Sequence, residues 1–226
     1  MLDFEAGRIV KICGIRTVEA ARTAALGGAD ALGFILAESR RQVEPAFVRE
    51  VRETILSGVE RPPALVGVTV NATAAELGRF AEKGTLDIVQ LSGDESPELL
   101  EDIDIPVIKT IHVSAEMSQD DLDRLADPWL DHARPALGIH IDAKVAGAYG
   151  GTGVRADWSH AAHIASRWPA LLAGGLNPGN VFEGIQAVAP RGVDVSSGVE
   201  IAGEKDLALI EAFIAHARQG FDSGAY

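Results

Sequence analysis

The sequence predicts a single-domain (β/α)8 barrel that spans residues 1–226, and three observations lead to that fold class. Eight short apolar runs rich in β-branched residues alternate with helical stretches, the pattern of parallel strands joined by right-handed crossovers. A chain of 226 residues fits a lean barrel, since the fold typically takes about 250 residues. The first βα turn, Cys13 to Arg16, lacks the G-x-G-x-x-G pattern of dinucleotide-binding folds, which weakens the alternative of an open, doubly wound sheet.

Each predicted strand is followed by a predicted helix. The strands are expected at 8–13, 31–36, 65–70, 87–91, 107–113, 137–143, 171–173 and 193–195. The helices are expected at 18–26, 45–56, 72–82, 97–102, 119–131, 157–167, 178–188 and 206–218. Ser96 and Asn177 each precede a proline, and a capping side chain before proline is typical of a helix start. The fourth and seventh helices are therefore expected to begin at these prolines.

The composition excludes several classes of protein. Hydrophobic residues make up 47% of the chain and charged residues 23%, which excludes disorder and allows a packed core. The 33 acidic and 20 basic residues give a net charge of −13, and an acidic surface disfavours nucleic-acid binding. No apolar run approaches about 18 residues, so no membrane span is expected.

The N-terminal residues and the cysteine content indicate a cytoplasmic protein. The first five residues lack the basic and then apolar profile of a signal peptide. Cys13 is the sole cysteine, so no intramolecular disulfide can form. A lone cysteine is either a buried small hydrophobe or a working thiol.

Strand one is expected to direct Cys13 into the barrel. Side chains along a barrel strand alternate between the interior and the helix layer. Val10 and Ile12 are apolar and suit the helix layer, so Lys11 and Cys13 are expected to face inward. Cys13 then lies at the carboxyl end of its strand, the end at which (β/α)8 enzymes carry their chemistry.

The same alternation applies to strand six. Ile139 and Ile141 suit the helix layer, so His140 and Asp142 are expected to face inward, with Asp142 near the catalytic rim. The spacing His140-x-Asp142 could also suit a metal ion. No third ligand has suitable spacing, so no metal site is predicted. His112 shows no supporting partner in the sequence and is expected to be solvated or structural.

Cys13 and Asp142 are the candidate catalytic pair. A thiol and a carboxyl that face one cavity can flank a carbon acid as base and acid. The alternative for Cys13 is a buried core residue. The alternative for Asp142 is a structural carboxylate paired with Lys11 or Lys144.

Glycine and serine clusters at the last two strand ends predict a phosphate site. Barrels often bind phosphate with the loops after strands seven and eight, where glycine lets backbone N–H groups approach the oxygens. A further cluster, Gly150 to Gly153, follows strand six. Any one cluster could be only a tight turn. The candidate phosphate-binding residues are Gly174, Gly175, Ser196, Ser197 and Gly198.

Arg41 and Asp194 are candidate substrate-binding residues. Arg40 and Arg41 follow strand two, and an arginine there can bind a carboxylate through two parallel hydrogen bonds, although it could also be a solvated surface residue. Asp194 shares a face of strand eight with Ser196. It could contact sugar hydroxyls or balance a lysine inside the barrel.

Taken in order, these segments resemble the phosphoribosylanthranilate isomerase family of tryptophan biosynthesis. The ordered set spans nearly the whole chain, which makes the resemblance specific. The matching stretches are 11–14, 31–34, 39–43, 66–68, 89–91, 107–109, 142–144, 150–153, 157–158, 172–180 and 193–200.

The resemblance implies a cytoplasmic (β/α)8 enzyme that uses no cofactor and acts on a small phosphosugar as a monomer or a homodimer. Its reaction is an Amadori rearrangement of N-(5-phosphoribosyl)anthranilate. By the resemblance, Asp142 is the general acid, Cys13 is the general base, and Arg41 binds the anthranilate carboxylate. The glycine and serine loops hold the phosphate.

Two other functions are considered beside this resemblance, and four residues depart from the family pattern. A related phosphosugar isomerase acting on a histidine-pathway aminoaldose, or a dual-substrate enzyme, is disfavoured, because the enzymes that it would resemble use a carboxylate where this chain has Cys13. A non-catalytic barrel that binds a phosphorylated metabolite would tolerate loss of the catalytic pair, which this chain retains. Residues that differ from those common in the family are Arg40, Thr69, Ser92 and His112.

Overall fold

Eight parallel strands form a closed barrel, which confirms the predicted fold class. A computed structural model describes residues 2–55, 58–82, 85–114, 116–133, 136–143 and 158–223. The strands pair in sequence order, and β8 pairs with β1 to close the cylinder. Their bounds are β1 Ile9–Cys13, β2 Ala31–Ile35, β3 Ala64–Thr69, β4 Ile88–Leu91, β5 Val107–Val113, β6 Gly138–Ala143, β7 Ala170–Ala173 and β8 Gly192–Val195.

Helices follow the strands and surround the barrel. They are α1 Val18–Leu26, α2 Pro45–Thr54, α3 Ala74–Glu82, α4 Gln119–Leu130, α5 Ser159–Arg167, α6 Val181–Val188 and α7 Leu207–Asp222. The connection after β4 contains only a 3₁₀ helix, Pro97–Glu101. A second 3₁₀ helix, Ser197–Val199, precedes an antiparallel pair of short strands, β9 Glu200–Ile201 and β10 Glu204–Lys205. These last three elements were not predicted.

Side-chain caps start several helices. Thr17, Ser118 and Asp206 accept hydrogen bonds from backbone N–H groups in the first turns of α1, α4 and α7. Pro97 begins the helical turn after β4, as expected, although Ser96 makes no capping hydrogen bond there. The expectation that Asn177 caps a helix at position 178 is wrong, because α6 begins at Val181. Asn177 instead accepts the Gly179 N–H within the preceding turn.

Two apolar layers build the core. The larger lies between the outer faces of the strands and the helices, and it includes Val10 and Ile12 as the alternation predicts. The smaller fills the barrel at the amino ends of the strands, where Leu2 and Phe4 pack on residues such as Ile9. The carboxyl ends are therefore left for polar side chains. Across the described ranges, no helix has both the length and the apolar character to cross a membrane.

Candidate active site

A cavity of about 480 Å³ opens at the carboxyl ends of the barrel strands. Every candidate residue from the sequence lies on its wall, although the residues come from β1, β6, β8 and three loops. They are Cys13, Arg41, Asp142, Gly174, Gly175, Asp194, Ser196, Ser197 and Gly198. The fold thus brings the whole candidate set to one space, as expected for chemistry at the C-terminal face of a (β/α)8 barrel.

The Cys13 thiol ends β1 and lies over the backbone of β2. Cys13 pairs in register with Gly33, and a Cβ placed on Gly33 would come within 2.6 Å of Cys13 Sγ. Glycine at position 33 therefore makes room for the thiol. Cys13 is a buried free thiol that still reaches the cavity wall.

Burial and charge act in opposite directions on the thiol. Burial raises the pKa of Cys13, while the nearby Lys11 and Lys205 ammonium groups lower it and Asp194 raises it further. The pKa remains above its ordinary value because burial has the larger effect. The sequence predicted that Lys11 and Cys13 face inward together, but it did not reveal that burial outweighs the charge of the lysine.

An ion-paired network lies below Cys13. Lys11 has no exposed surface, and its Nζ lies 2.9 Å from Asp194 Oδ2. His140 Nε2 lies 2.8 Å from the same oxygen. Burial by itself raises the pKa of Asp194, but Lys11 and His140 outweigh it and hold the pKa at about 2.

Asp194 therefore balances a barrel lysine, one of the two roles considered for it. Only Oδ2 makes these contacts. Oδ1 is buried without a hydrogen-bond partner in the described part of the chain. Because Asp194 lines the cavity, Oδ1 is the atom through which it could meet a hydroxyl group.

Asp142 contacts His112 rather than a lysine. Asp142 Oδ2 lies 3.3 Å from His112 Nδ1, and His112 Nε2 lies 3.2 Å from the Ser92 carbonyl oxygen. The expectation that His112 has no partner is therefore wrong. Lys11 pairs with Asp194, so it is not the partner of Asp142, and Lys144 lies outside the described residues. Two of the four departures, Ser92 and His112, thus touch each other beside the candidate acid.

Arg41 lies on the cavity wall in a two-point contact with Glu200. Its Nε and Nη2 lie 2.7 and 2.9 Å from the two Glu200 carboxylate oxygens. Lys205 Nζ lies 3.1 Å from Glu200 Oε1 and donates to the Ser196 carbonyl. Burial raises the pKa of Glu200, but Arg41 and Lys205 together lower it to about 2.

Sequence reasoning missed Glu200 and Lys205 as parts of the site. Glu200 stands at the end of the family-like stretch 193–200, which was the available signal. Lys205 follows a tight turn whose formation the sequence pattern did not reveal. Arg40 also reaches Glu200, through Nη2 to Oε2 at 3.2 Å, from an exposed position.

The loops after β7 and β8 form the adjoining part of the cavity wall. Gly174 and Gly175 both have positive φ, at 88° and 74°, a conformation that favours glycine. A Cβ on Gly198 would lie 1.8 Å from the Leu176 carbonyl oxygen, so the two loops approach through glycine. Ser196 Oγ is buried without a hydrogen-bond partner among the described residues. The cluster at 150–153 lies outside the described residues.

Metal coordination was considered for His140 and Asp142. In the described segments, no group of three or more His, Cys, Asp and Glu side chains is arranged to hold a metal ion. His140 bonds to Asp194 and Thr110, and Asp142 bonds to His112. The two residues therefore have different direct partners, and Ser92 and Thr110 connect these partners indirectly.

Comparison with known proteins identifies the same group as the sequence motifs. Residues 10–216 match the family described as N-(5'phosphoribosyl)anthranilate (PRA) isomerase. An N-(5'-phosphoribosyl)anthranilate isomerase from Roseiflexus sp. (strain RS-1) is 43% identical over 213 residues, which cover 92% of this chain and 97% of that protein.

Solved structures that align with this chain carry the same family name. The crystal structure of phosphoribosyl anthranilate isomerase from Thermotoga maritima aligns with a TM-score of 0.77 and 36% identity, covering 93% of this chain and 98% of that one. A phosphoribosyl anthranilate isomerase in complex with reduced 1-(o-carboxyphenylamino)-1-deoxyribulose 5-phosphate aligns with a TM-score of 0.75 and 34% identity over the same shares.

Proposed function

The chain belongs to the phosphoribosylanthranilate isomerase family, and from this premise we propose that the cavity at the barrel mouth is its active site, with Cys13 as general base and Asp142 as general acid. The enzyme converts N-(5-phosphoribosyl)anthranilate into 1-(2-carboxyphenylamino)-1-deoxyribulose 5-phosphate in tryptophan biosynthesis. The observation that carries the assignment of the pair is the shared cavity: the thiol and the carboxyl reach it from non-adjacent strands.

The first chemical step opens the sugar ring. Asp142, as a carboxylic acid, donates its proton to the furanose ring oxygen while the bond between that oxygen and C1 breaks. The nitrogen lone pair moves in to form the C1=N double bond, so the product is an open-chain iminium ion. Asp142 suits this role because its side chain is 27% exposed at the cavity mouth and faces no lysine in the described chain.

The second step moves a proton from carbon. The Cys13 thiolate takes the proton from C2, and the electrons of the C–H bond form the C1=C2 bond of an enolamine, which then tautomerises to the ketone. The positive iminium nitrogen makes the C2 proton more acidic, so a mild base suffices. Lys11 favours the thiolate electrostatically and partly offsets the raised pKa of the buried thiol.

Three further contacts orient the substrate. Arg41 binds the anthranilate carboxylate through Nη1, since Glu200 occupies the edge formed by Nε and Nη2. Asp194 Oδ1 accepts a hydrogen bond from a sugar hydroxyl. The phosphate binds between the loops of Gly174, Gly175, Ser196, Ser197 and Gly198, with the Ser196 hydroxyl as one donor.

The proposed chemistry requires neither a cofactor nor a second subunit. The acid, the base and the anchoring groups all come from one chain, so the mechanism applies to a monomer and to a homodimer alike. A free thiol as base also suits the reducing cytoplasm, where we place the enzyme.

Loss of phosphoribosylanthranilate fluorescence on adding purified protein tests the catalytic pair. The wild type should turn over the substrate, while Cys13→Ser and Asp142→Asn should each lower kcat by about 10²- to 10⁴-fold, the usual contribution of a general acid or base. Circular dichroism of each variant should match the wild type. Full kcat in either variant would remove that residue from its proposed role.

A further inference from the structure

The His112 imidazole bridges the candidate acid and a backbone carbonyl at the cavity mouth. Its Nδ1 lies 3.3 Å from Asp142 Oδ2 and its Nε2 lies 3.2 Å from the Ser92 oxygen. Register sets this placement, because His112 on β5 is the direct partner of Asp142 on β6. Ser92 is held in turn, since its N–H donates to the Thr69 carbonyl.

The chemistry of the three groups restricts where the protons lie. A backbone carbonyl can only accept a hydrogen bond, so the contact with Ser92 requires a proton on Nε2 of His112. A neutral imidazole has one N–H, so Nδ1 then presents a lone pair to Asp142. The contact between Nδ1 and Oδ2 is attractive only when a proton lies between them, on the carboxyl oxygen or on the ring nitrogen.

We propose that His112 is a positioning residue that keeps one proton on the Asp142–His112 pair and so holds Asp142 ready as an acid. In the productive arrangement one proton is shared between Asp142 Oδ2 and His112 Nδ1, and Asp142 donates it from Oδ2. When the acid donates its proton to the ring oxygen, the O–H bond breaks and a carboxylate remains. In the same cycle Cys13 releases to solvent the proton that it took from C2, and His112 takes up one proton from solvent. That proton passes from Nδ1 to Oδ2 and restores the acid, so no net proton is consumed. This inference rests on the proposed role of Asp142.

The neighbouring side chains of the described site are neutral or bonded elsewhere, so they do not compete for this proton. His112 is 60% exposed, so water reaches its ring. Inside the barrel, His140 and Lys11 are both bonded to Asp194, and Cys13 lies in the same charged group. From neighbouring β4 and β5, the side chains that meet this wall, Gln90, Ser92 and Thr110, are neutral.

Charged side chains at a greater distance from Asp142 are also paired. On the other face of β5, Lys109 Nζ lies 2.7 Å from Glu95 Oε2 and donates to the Gly93 carbonyl. Across the cavity, Arg41 is bound to Glu200. Asp142 and His112 are therefore each other's titratable partner within the described part of the site.

Two substitutions of His112 separate a proton-holding role from a purely structural one. Arginine can only donate, so His112→Arg stabilises the carboxylate of Asp142 and deprives the acid of its acceptor. The alkaline limb of the kcat–pH profile should move down by about one pH unit, which lowers kcat on that limb by about tenfold, with little change in KM. Glutamine can donate and accept, so His112→Gln should shift the limb less.

His163→Gln is the matched control. His163 lies on α5 and bonds to Asp123 away from the cavity, so its loss should leave the profile unmoved. If His112→Arg reproduces the wild-type profile, the inference is wrong. Asp142→Asn, measured alongside, separates the two proposals. A fully active Asp142→Asn overturns the acid itself, whereas an inactive Asp142→Asn with an unshifted His112→Arg overturns only the role of His112.

Nitrogen-15 NMR of the histidine rings gives a readout that does not depend on turnover. Neutral His112 should carry its proton on Nε2, and its titration should change in Asp142→Asn because the shared proton is lost. A neutral ring protonated on Nδ1, or a His112 titration that ignores Asp142→Asn, would contradict the inference.

Discussion

Lys11 and Asp194 form an ion pair inside the barrel, with 2.9 Å between Nζ and Oδ2 and no exposed surface on the lysine. The two residues are direct partners in the register of β1 and β8, the strand pair that closes the cylinder. The pair therefore joins the ends of the sheet just below the thiol proposed as the general base. We expect both the stability of the barrel and the ionisation of Cys13 to depend on this pair.

Stability should fall in acid as Asp194 loses its charge. Its folded pKa is about 2, against 3.8 for an ordinary aspartate, so its stabilisation is complete above about pH 4 and disappears as the pH falls toward 2. A difference of that size amounts to about 2 kcal/mol. Urea unfolding of the wild type and of Asp194→Asn across this pH range tests the predicted loss of stability. The stability difference between them should shrink as the pH falls, and a constant difference would contradict the assignment.

Replacing the lysine alone should lower the free energy of unfolding by more than replacing both residues of the pair. Lys11→Met leaves a buried carboxylate without its main counter-charge, which typically destabilises a protein by about 3–5 kcal/mol. The double variant Lys11→Met/Asp194→Leu should recover much of that loss in urea unfolding. Lys11→Met should also raise the pKa of Cys13, so alkylation of the thiol by iodoacetamide should require a higher pH. Unchanged alkylation would argue against electrostatic support from Lys11.

Gly33→Ala should displace the Cys13 thiol, the proposed general base. The added methyl group would lie 2.6 Å from Cys13 Sγ and 3.0 Å from its Cα, so the side chain must turn or the strands must separate. We expect kcat to fall by at least about tenfold, with a stability loss of about 1–3 kcal/mol from overpacking. Gly78→Ala on α3 is the control, because its Cβ meets nothing within 4 Å. Equal activity of the two variants would mean that the thiol position is not critical.

Arg41 should matter more for substrate binding than Arg40. A charged hydrogen bond contributes about 1.5–3 kcal/mol, so Arg41→Ala should raise KM by roughly 10- to 100-fold. Arg40 is exposed and should have a much smaller effect. Glu200→Gln should also raise KM, though less than Arg41→Ala, because it weakens the contact that orients the guanidinium. If steady-state kinetics showed a larger rise in KM for Arg40→Ala than for Arg41→Ala, the carboxylate contact would have to be assigned to Arg40.

Gly198→Ala should weaken phosphate binding. A methyl group at this position would meet the Leu176 carbonyl oxygen at 1.8 Å and force apart the loops that follow β7 and β8. We expect KM to rise and competitive inhibition by inorganic phosphate to weaken by about tenfold or more. The control variant Gly78→Ala should keep the wild-type KM and the wild-type inhibition by phosphate. Unaltered inhibition by phosphate would place the phosphate elsewhere.

Local sequence pattern was sufficient for the strands and for the direction of their side chains. The alternation of Val10 and Ile12 with Lys11 and Cys13 matches the outer core and the cavity in the structure. Such predictions succeed because a strand has a period of two and each face meets a different environment. Helix starts were less predictable, as at Asn177, since an asparagine before proline also stabilises an ordinary turn.

Partner choice could not be predicted from the same patterns. A lysine was the alternative partner considered for Asp142, which lies beside His112, while Arg41 meets Glu200 from a hairpin that follows β8. These pairs join residues 30 and 159 positions apart in the chain. Which side chains meet across such separations depends on strand register and loop approach.

The chain by itself determined that eight strands alternate with helices, which residues face inward, and which family the ordered motifs resemble. Only the closed barrel decided that Lys11 neutralises Asp194, that burial raises the pKa of Cys13, and that His112 contacts Asp142. The physical reason is that alternation is a property of neighbouring residues. Ion pairing and desolvation depend on distances that exist only once the first and last strands have paired.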